Sequence, residues 1–261
     1  MGIIAIIPAR FASTRFPGKL LANKTGKYLI QHVYEQVCRA RNVESVLIAT
    51  DDPRIACACD EFDAPRQMTR SDHQSGTDRI AEVAATLQAD IIVNVQGDEP
   101  EIAPENIDRV IELLQNDPYA DMATLAAKFN RGEDLHDPNI VKVVVNQKGH
   151  ALYFSRHAIP YHRDSANTDI YRKHIGIYAY RREMLLRLAQ TSPTPLEQAE
   201  KLEQLRALEN NMVIAVADVE HHAVGIDTPQ QYEEFVIRMQ KTQGRSSRQQ
   251  TNRNVKDKSE F

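Results

Sequence analysis

Short apolar runs alternate with stretches of helical periodicity along the first half of the chain. Ile3 to Ile7 is a β-branched run closed by Pro8, which reads as a fully buried parallel strand. Leu29, Ile30, Val33, Val37 and Ala40 then recur at helical spacing, and Val46 to Ala49 is a second buried run. Pro53 opens a helix to about Phe62 with Ile55 and Ala56 inward, and Asp51 and Asp52 before it read as its cap. Ile80, Val83, Ala84 and Leu87 line the next helix, and Ile91 to Val95 is a third buried run. Pro104 starts a helix with Ile107, Val110, Ile111 and Leu114 on one side, followed by a strand at Met122 to Ala127. Strands alternating with helices in this way predict an open α/β sheet.

The pattern changes near Asn139. Val141 to Val145 and Ala151 to Phe154, separated by Asn146, Gln147, Lys148 and Gly149, read as an antiparallel hairpin, and a further strand is expected at Ile175 to Tyr180. Helices over Arg181 to about Gln190 and Leu196 to about Glu209, a strand at Val213 to Ala217, and a last helix carrying Tyr232, Phe235, Val236 and Met239 complete the ordered part. From Gly244 polar residues dominate without apolar periodicity. The expected organisation is one domain over 1–243, with an inserted hairpin region at about 139–180, and a disordered tail over 244–261.

Composition narrows the classes of partner. The 261 residues include 32 Lys plus Arg against 36 Asp plus Glu, a formal charge of -4, so no global attraction to nucleic acid or anionic membrane is expected and any anion site must be local. The three cysteines, Cys38, Cys57 and Cys59, lack zinc or disulfide spacing and read as reduced core thiols. The first residues have neither the flanks nor the length of a secretory signal or membrane span, so a cytoplasmic protein is expected.

Local anion chemistry is concentrated after the first strand. PARFASTRFPGK, Pro8 to Lys19, brings Arg10, Arg15 and Lys19 to the carboxyl end of a buried strand, where ligands bind in open α/β sheets. Guanidinium forks and an ammonium suit phosphate or carboxylate, and neither G-x-x-x-x-G-K-[ST] nor G-x-G-x-x-G is present. In VNVQGDEP the buried run ends in Gln96, Gly97, Asp98 and Glu99, and a carboxylate at that position suits Mg²⁺ facing a triphosphate, with Asp98 the candidate. Ser75, Gly76 and Thr77 open a helix, which reads either as an N-cap beside a solvated loop or as backbone N–H groups offered to phosphate or a base. Asp227 and Thr228, before Pro229, read as a helix cap. Arg156, His157, His162, Arg163 and His174 lie in one long connection, which fits either a hydroxylated acid ligand or a surface excursion, without zinc spacing.

Taken in order, PARFASTRFPGK, MTRSDHQSGTDR, VNVQGDEP, ALYFSR, KHIGIYAYRR, AEKLEQLR and GIDTP resemble the 3-deoxy-manno-octulosonate (KDO) cytidylyltransferases from about Ile3 to Met239. The resemblance implies a nucleotidyltransferase with a Rossmann-like, mainly parallel sheet, a smaller β-containing region for substrate and dimer contacts, and a homodimer. It implies transfer of CMP from CTP to an acidic eight-carbon sugar, releasing pyrophosphate, with Mg²⁺ as cofactor, for lipopolysaccharide synthesis. Carried over residue by residue, Pro8, Ala9, Arg10, Arg15 and Lys19 hold the nucleotide, Gln74, Ser75 and Gly76 meet cytosine, and Asp98 and Asp227 hold the metal. Gln96, Arg156, Arg163, His174, Tyr178, Glu203 and Gln204 fall where the sugar acid is held. An 8-amino analogue of the sugar, an N-acylneuraminate, or a non-catalytic nucleotide-binding role are the competing readings. Two departures are Asp78, where Glu is common in the family, and the polar tail.

Overall fold

The continuous apolar runs are explained by a sheet covered on both faces. In the computed structural model, which describes residues 2–73, 75–163 and 170–241, the strands are β1 Ile3–Ala9, β2 Ser45–Thr50, β3 Arg66–Met68, β4 Ile91–Asn94, β5 Met122–Lys128, β6 Lys142–Val145, β7 Ala151–Ser155, β8 Arg172–Arg181 and β9 Ile214–Asp218. The main path of the sheet runs β3-β2-β1-β4-β8-β5-β9. β1 pairs in parallel with β2 and β4, as do β2 with β3 and β5 with β9, while β8 lies antiparallel between β4 and β5. Gln74 and the expected disordered tail lie outside the described residues.

Helices α1 Leu29–Val37, α2 Pro53–Glu61, α3 Gly76–Ala85, α4 Pro104–Asn116, α5 Arg182–Gln190, α6 Pro195–Glu200 and α7 Gln204–Glu209 are joined by a last helix, α8, over 229–241. One face of the sheet packs Ile7, Ile48 and Val93 with Ile30, Val33, Ile107, Val110 and Leu114 of α1 and α4. The other packs Ile6, Ala49, Ile92 and Tyr180 with Ile80, Val83, Ala84, Leu185 and Leu188 of α3 and α5. Burial on both faces is what a parallel strand demands, and each such Ile or Leu contributes about 1.5–3 kcal/mol.

The hairpin β6–β7 is continuous with this sheet: Lys142 pairs with Lys173 of β8, and His150 bridges to Ala215 of β9. Lys142 is fully buried, its ammonium donating to the carbonyls of Asp137, Ile140 and Arg156 at 3.0, 2.6 and 2.6 Å. That ammonium fixes the mouth of the hairpin to the segment entering it.

The structure adds one strand and corrects three local expectations. The three-residue edge strand β3 has no apolar pattern of its own and exists through backbone pairing to β2. The single helix expected over Leu196 to Glu209 is two, because Lys201 takes a left-handed conformation (φ 54°) and Arg206 of α7 folds back on Glu197 of α6 at 2.5 and 2.8 Å. Only Cys59 is a core thiol; Cys57 sits on the outer face of α2 and Cys38 at the open end of α1, both exposed. Asp52 does cap α2, accepting from Arg54 N at 2.9 Å, while Asp51 instead pairs with buried Arg79 at 3.2 Å.

Candidate active site

The loop after β1 is shaped by two glycines. Gly18 has φ 68°, and a Cβ there would lie 3.0 Å from the Phe11 ring; at Gly97 it would lie 3.0 Å from the carbonyl oxygen of Pro8. The first glycine lets the loop turn back, and the second lets the end of β4 approach the end of β1. Phe11 is held from the other side by Arg54, whose Cζ lies 3.3 Å from the ring centroid. The loop therefore has an apolar anchor, while its cations face a cavity of about 580 Å³ lined by Arg10, Ser13, Arg15, Lys19, Asp98 and Asp227 among others.

In that cavity Lys19 Nζ lies 2.5 Å from Asp98 Oδ2, 3.0 Å from Asp227 Oδ1 and 3.0 Å from the Ile226 carbonyl oxygen. Arg15 reaches Asp227 Oδ2 at 2.9 Å. The capping question at the start of α8 is answered by geometry: Thr228 Oγ1 accepts from Gln231 N at 3.2 Å, and Gln231 Oε1 accepts from the backbone N–H groups of Asp227 and Thr228 at 2.8 and 2.9 Å. The helix start is served by Thr228 and Gln231, which leaves the Asp227 carboxylate turned to the cations. Two carboxylates thus share one ammonium, although they lie far apart in the sequence.

Behind this charged cavity is a second one, of about 330 Å³, whose lining shares Arg10 and Gln96 with the first. Its walls come from the end of β4 (Asn94), β8 (Tyr178 and Tyr180), the first turn of α3 (Ser75, Gly76 and Thr77) and the α6–α7 turn (Lys201, Glu203 and Gln204). Tyr178 stands opposite Asn94 in the antiparallel β4–β8 register. Thr77 Oγ1 donates to Glu203 Oε2 at 2.5 Å. Burial pushes Glu203 above the usual carboxylate range, and it raises both tyrosines, Tyr178 well above its ordinary value. Asn94 is 2% exposed, yet its Oδ1 has no hydrogen-bond partner. An unsatisfied buried acceptor costs about 1–3 kcal/mol. Asn94 and Tyr180 do not stand out in the sequence, since nothing in a strand pattern marks a buried polar side chain as facing a cavity, and Thr77 stands out there only as part of a helix start.

The remaining expected site residues are distributed unequally. Pro8 and Gly76 meet, a Cβ at Gly76 lying 3.5 Å from Pro8 Cγ, so the ends of β1 and α3 adjoin; Ala9 is buried, and Ser75 caps α3, accepting from Asp78 N at 3.1 Å. Arg156 spends its guanidinium on the carbonyls of Glu200, Pro138 and Lys201 at 2.7, 2.8 and 3.4 Å, so it braces the α6–α7 turn and lines neither cavity. Arg163 is exposed beyond the hairpin and lines neither cavity. His174 lies behind Tyr178, ring centroids 5.4 Å apart, with Nε2 3.0 Å from Thr124 Oγ1. Burial lowers it to about 3, which disfavours a charged ring there, and it lines neither cavity. The cations lining the inner cavity are Arg10 and Lys201. Glu99 is a further carboxyl next to the site: loss of solvation, then the Asp98 charge, push it up to about 8. Asp78 lies 3.9 Å from Arg206 and so joins the pair that sets the α6–α7 turn.

No group of three or more His, Cys, Asp or Glu able to hold a metal occurs among the described residues. Asp98 and Asp227 nevertheless present hard oxygen ligands to one cation already, the Lys19 ammonium. One or two carboxylates completed by substrate phosphates and water is the donor set that suits Mg²⁺, so the residues present fit that ion.

Known proteins resemble this chain in sequence and in fold. Residues 4–214 match the sequence profile of the cytidylyltransferase family. A protein of Pelobacter propionicus, named 3-deoxy-manno-octulosonate cytidylyltransferase, is 54% identical over 239 residues, covering 88% of this chain and 94% of its own. One of the same name from Geobacter sulfurreducens is 50% identical over 249 residues, covering 92% of this chain and all of its own. Among solved structures, a CMP:2-keto-3-deoxy-manno-octonic acid synthetase complexed with CTP superposes with a TM-score of 0.88 at 43% identity, over 93% of this chain and 100% of that one. A cytidylyltransferase from Leptospira borgpetersenii shares the fold, with a TM-score of 0.60 at 17% identity over 90% of this chain and 85% of its own.

Proposed function

This chain belongs to the 3-deoxy-manno-octulosonate cytidylyltransferase family, and from that membership we propose how its two cavities divide the work. The enzyme activates KDO with CTP, giving CMP-KDO and pyrophosphate for lipopolysaccharide synthesis. The observation that carries the division is that an outer cavity of fixed cations and paired carboxylates shares Arg10 and Gln96 with an inner cavity of buried hydroxyl and amide groups.

The outer cavity holds the triphosphate. Arg10 and Arg15 present guanidinium groups to its oxygens, and Lys19, once phosphate competes for it, leaves the two carboxylates and neutralises charge on the departing pyrophosphate. Asp98 and Asp227, released from that ammonium, would hold Mg²⁺. Bound there, Mg²⁺ supplies Lewis-acid polarisation of the α-phosphate and eases ionisation of the attacking hydroxyl. The inner cavity fixes the sugar so that its anomeric hydroxyl faces the α-phosphorus, with Arg10, common to both cavities, beside the acid group. No side chain needs to act as a covalent nucleophile; orientation and charge neutralisation supply the catalysis.

The proposed assembly is a homodimer in the cytoplasm, where CTP is available. The hairpin region carries two exposed apolar side chains, Leu152 at 60% and Tyr161 at 88%, that a second copy would cover.

The test is pyrophosphate release from CTP, Mg²⁺ and KDO, with each component omitted in turn. Release requiring all three, with CMP-KDO as product, is the expected result. Release only with the 8-amino analogue or an N-acylneuraminate moves the sugar and retains the chemistry; no release with any of them overturns the reading.

A further inference from the structure

Strand β8, antiparallel to its neighbours on either side, is irregular where it passes the inner cavity. Thr124 of β5 stands opposite Tyr178, but Leu125 stands opposite Ile175, so Gly176 and Ile177 are two residues in excess on β8. Pairing with β4 stops at the same point, at Asn94 and Tyr178. An excess of two keeps the alternation of side chains, and Gly176, Tyr178 and Tyr180 all line the cavity. One hydroxyl holds this bulge. Thr124 is fully buried, with Oγ1 2.7 Å from the Ile177 carbonyl oxygen, 3.1 Å from that of Ile175 and 3.0 Å from His174 Nε2. Carbonyl oxygens only accept, so the hydroxyl proton goes to them and the His174 ring donates through Nε2. Gly176, by contrast, is required neither by its backbone nor by its packing: it lies outside the left-handed region, and a Cβ there would meet only Glu99 Oε1, at 3.9 Å. Room for a side chain is left beside a residue of the cavity wall. Such a glycine inside a strand marks a place where something approaches the backbone closely.

We propose that the sugar acid lies against β8 at Gly176, and that Thr124 is the positioning residue that holds this stretch of backbone, with Tyr178 beside it, in place for the sugar. This rests on the reading of the inner cavity as the sugar site. A regular β8 would pair residue for residue with β5; the bulge bends the strand and ends its pairing with β4, which opens a wall in a sheet otherwise closed by its ladder. Gln96, two residues past the last paired residue of β4, and Gly176 then line the same cavity from the two strands. Thr124 touches neither cavity, so its effect on the sugar passes through the carbonyls of Ile175 and Ile177 on either side of Gly176. Without the hydroxyl those carbonyls lose the bond that fixes the bulge.

The experiment measures kcat and KM for KDO, and KM for CTP, in Mg²⁺ with full-length wild type, Thr124→Val, Thr124→Ser and Gly176→Ala. Thr124→Val keeps the shape of the side chain and removes the hydroxyl; it should lower kcat/KM for KDO roughly tenfold or more while KM for CTP stays within about twofold. Thr124→Ser keeps the hydroxyl and should return kcat/KM for KDO to within about threefold of wild type. Gly176→Ala, which the backbone and its surroundings accept, adds a methyl to the wall and should raise KM for KDO roughly tenfold, again without moving KM for CTP. A melt and CTP binding establish that each variant is folded; if Thr124→Val does not fold, Gly176→Ala decides. A Thr124→Val enzyme that melts lower but keeps its KDO parameters, a Thr124→Ser enzyme no better than Thr124→Val, or a Gly176→Ala enzyme with an unchanged KM for KDO would overturn the inference and leave the proposed reaction standing, as would a change in KM for CTP as large as that for the sugar. Wild type that binds CTP but uses no acid sugar would instead remove the reaction on which the inference rests.

Discussion

The two cavities solve opposite electrostatic problems with opposite materials. The outer one gathers Arg10, Arg15, Lys19, Asp98 and Asp227, partly solvated charges that compensate one another: Lys19 bonds both carboxylates, and Arg15 bonds one of them. The inner one is built from Asn94, Thr77, Tyr178, Tyr180 and Glu203, polar groups largely withdrawn from solvent, of which Thr77 already donates to Glu203. A triphosphate brings so much charge that a site for it needs mobile counter-charges, which a ligand can re-pair at little cost. A sugar brings hydroxyls, which differ from one another only in position, so its site needs fixed acceptors in a low-dielectric wall. Arg10 and Gln96, common to both linings, are where the two modes meet.

The sharpest way to break this division is to neutralise the outer carboxylates. Asp98→Asn and Asp227→Asn each remove a charge that Lys19 and the metal would share, and each should reduce pyrophosphate release at least about a hundredfold. Their melting temperatures should stay close to wild type, since both side chains are part-exposed, at 28% and 41%. Near-normal Mg²⁺-dependent rates in both variants would remove the outer cavity from the chemistry. A smaller effect is expected from the cations. Lys19→Met, at a side chain 12% exposed, should lower kcat/KM for CTP about ten- to a hundredfold, and Arg15→Ala, at 61% exposed, only several-fold. KM for the sugar should be unchanged in Arg15→Ala; a sugar KM that moved with that for CTP would mean the cavities do not divide the substrates.

The same contrast governs how much of the molecule is legible in its sequence. Buried parallel strands announce themselves as apolar runs, so β1, β2, β4 and β5 are visible, and a cluster of three cations just past one of them is visible as an anion site. Asp227 is not visible in this way. Before Pro229 it looks like a helix cap, and only the fold shows that Thr228 and Gln231 take that duty. The inner cavity is harder still. Asn94 stands at the end of the apolar run IIVN, and its place in a cavity wall depends on β8, α3 and the α6–α7 turn, elements far apart in sequence. Arg156 shows the converse: a cation in a promising segment looks like a ligand until its guanidinium is seen bound to the carbonyls of Glu200, Pro138 and Lys201.

His174 allows the smallest and most specific test of the neutral interior. It sits behind Tyr178, against Thr124 and the Phe154 ring, and burial lowers it to about 3. A group whose folded pKa lies below its unfolded value, about 6.5 for His, contributes stability that is complete above pH 6.5 and is lost as pH falls toward the folded value. Below pH 6.5 the unfolded chain takes up the proton that the folded chain refuses, at a slope approaching about 1.4 kcal/mol per pH unit, or about 2 kcal/mol by pH 5. His174→Gln, which can still bond Thr124, lacks that proton uptake. Denaturant unfolding at pH 7.5, 6 and 5 should therefore show the gap between wild type and His174→Gln closing, or reversing, by about 2 kcal/mol across the series. His32 and His222, also lowered by burial, are present in both proteins and cancel in the difference. A gap independent of pH would mean that His174 accepts its proton in the fold and that the layer behind Tyr178 is not a neutral one.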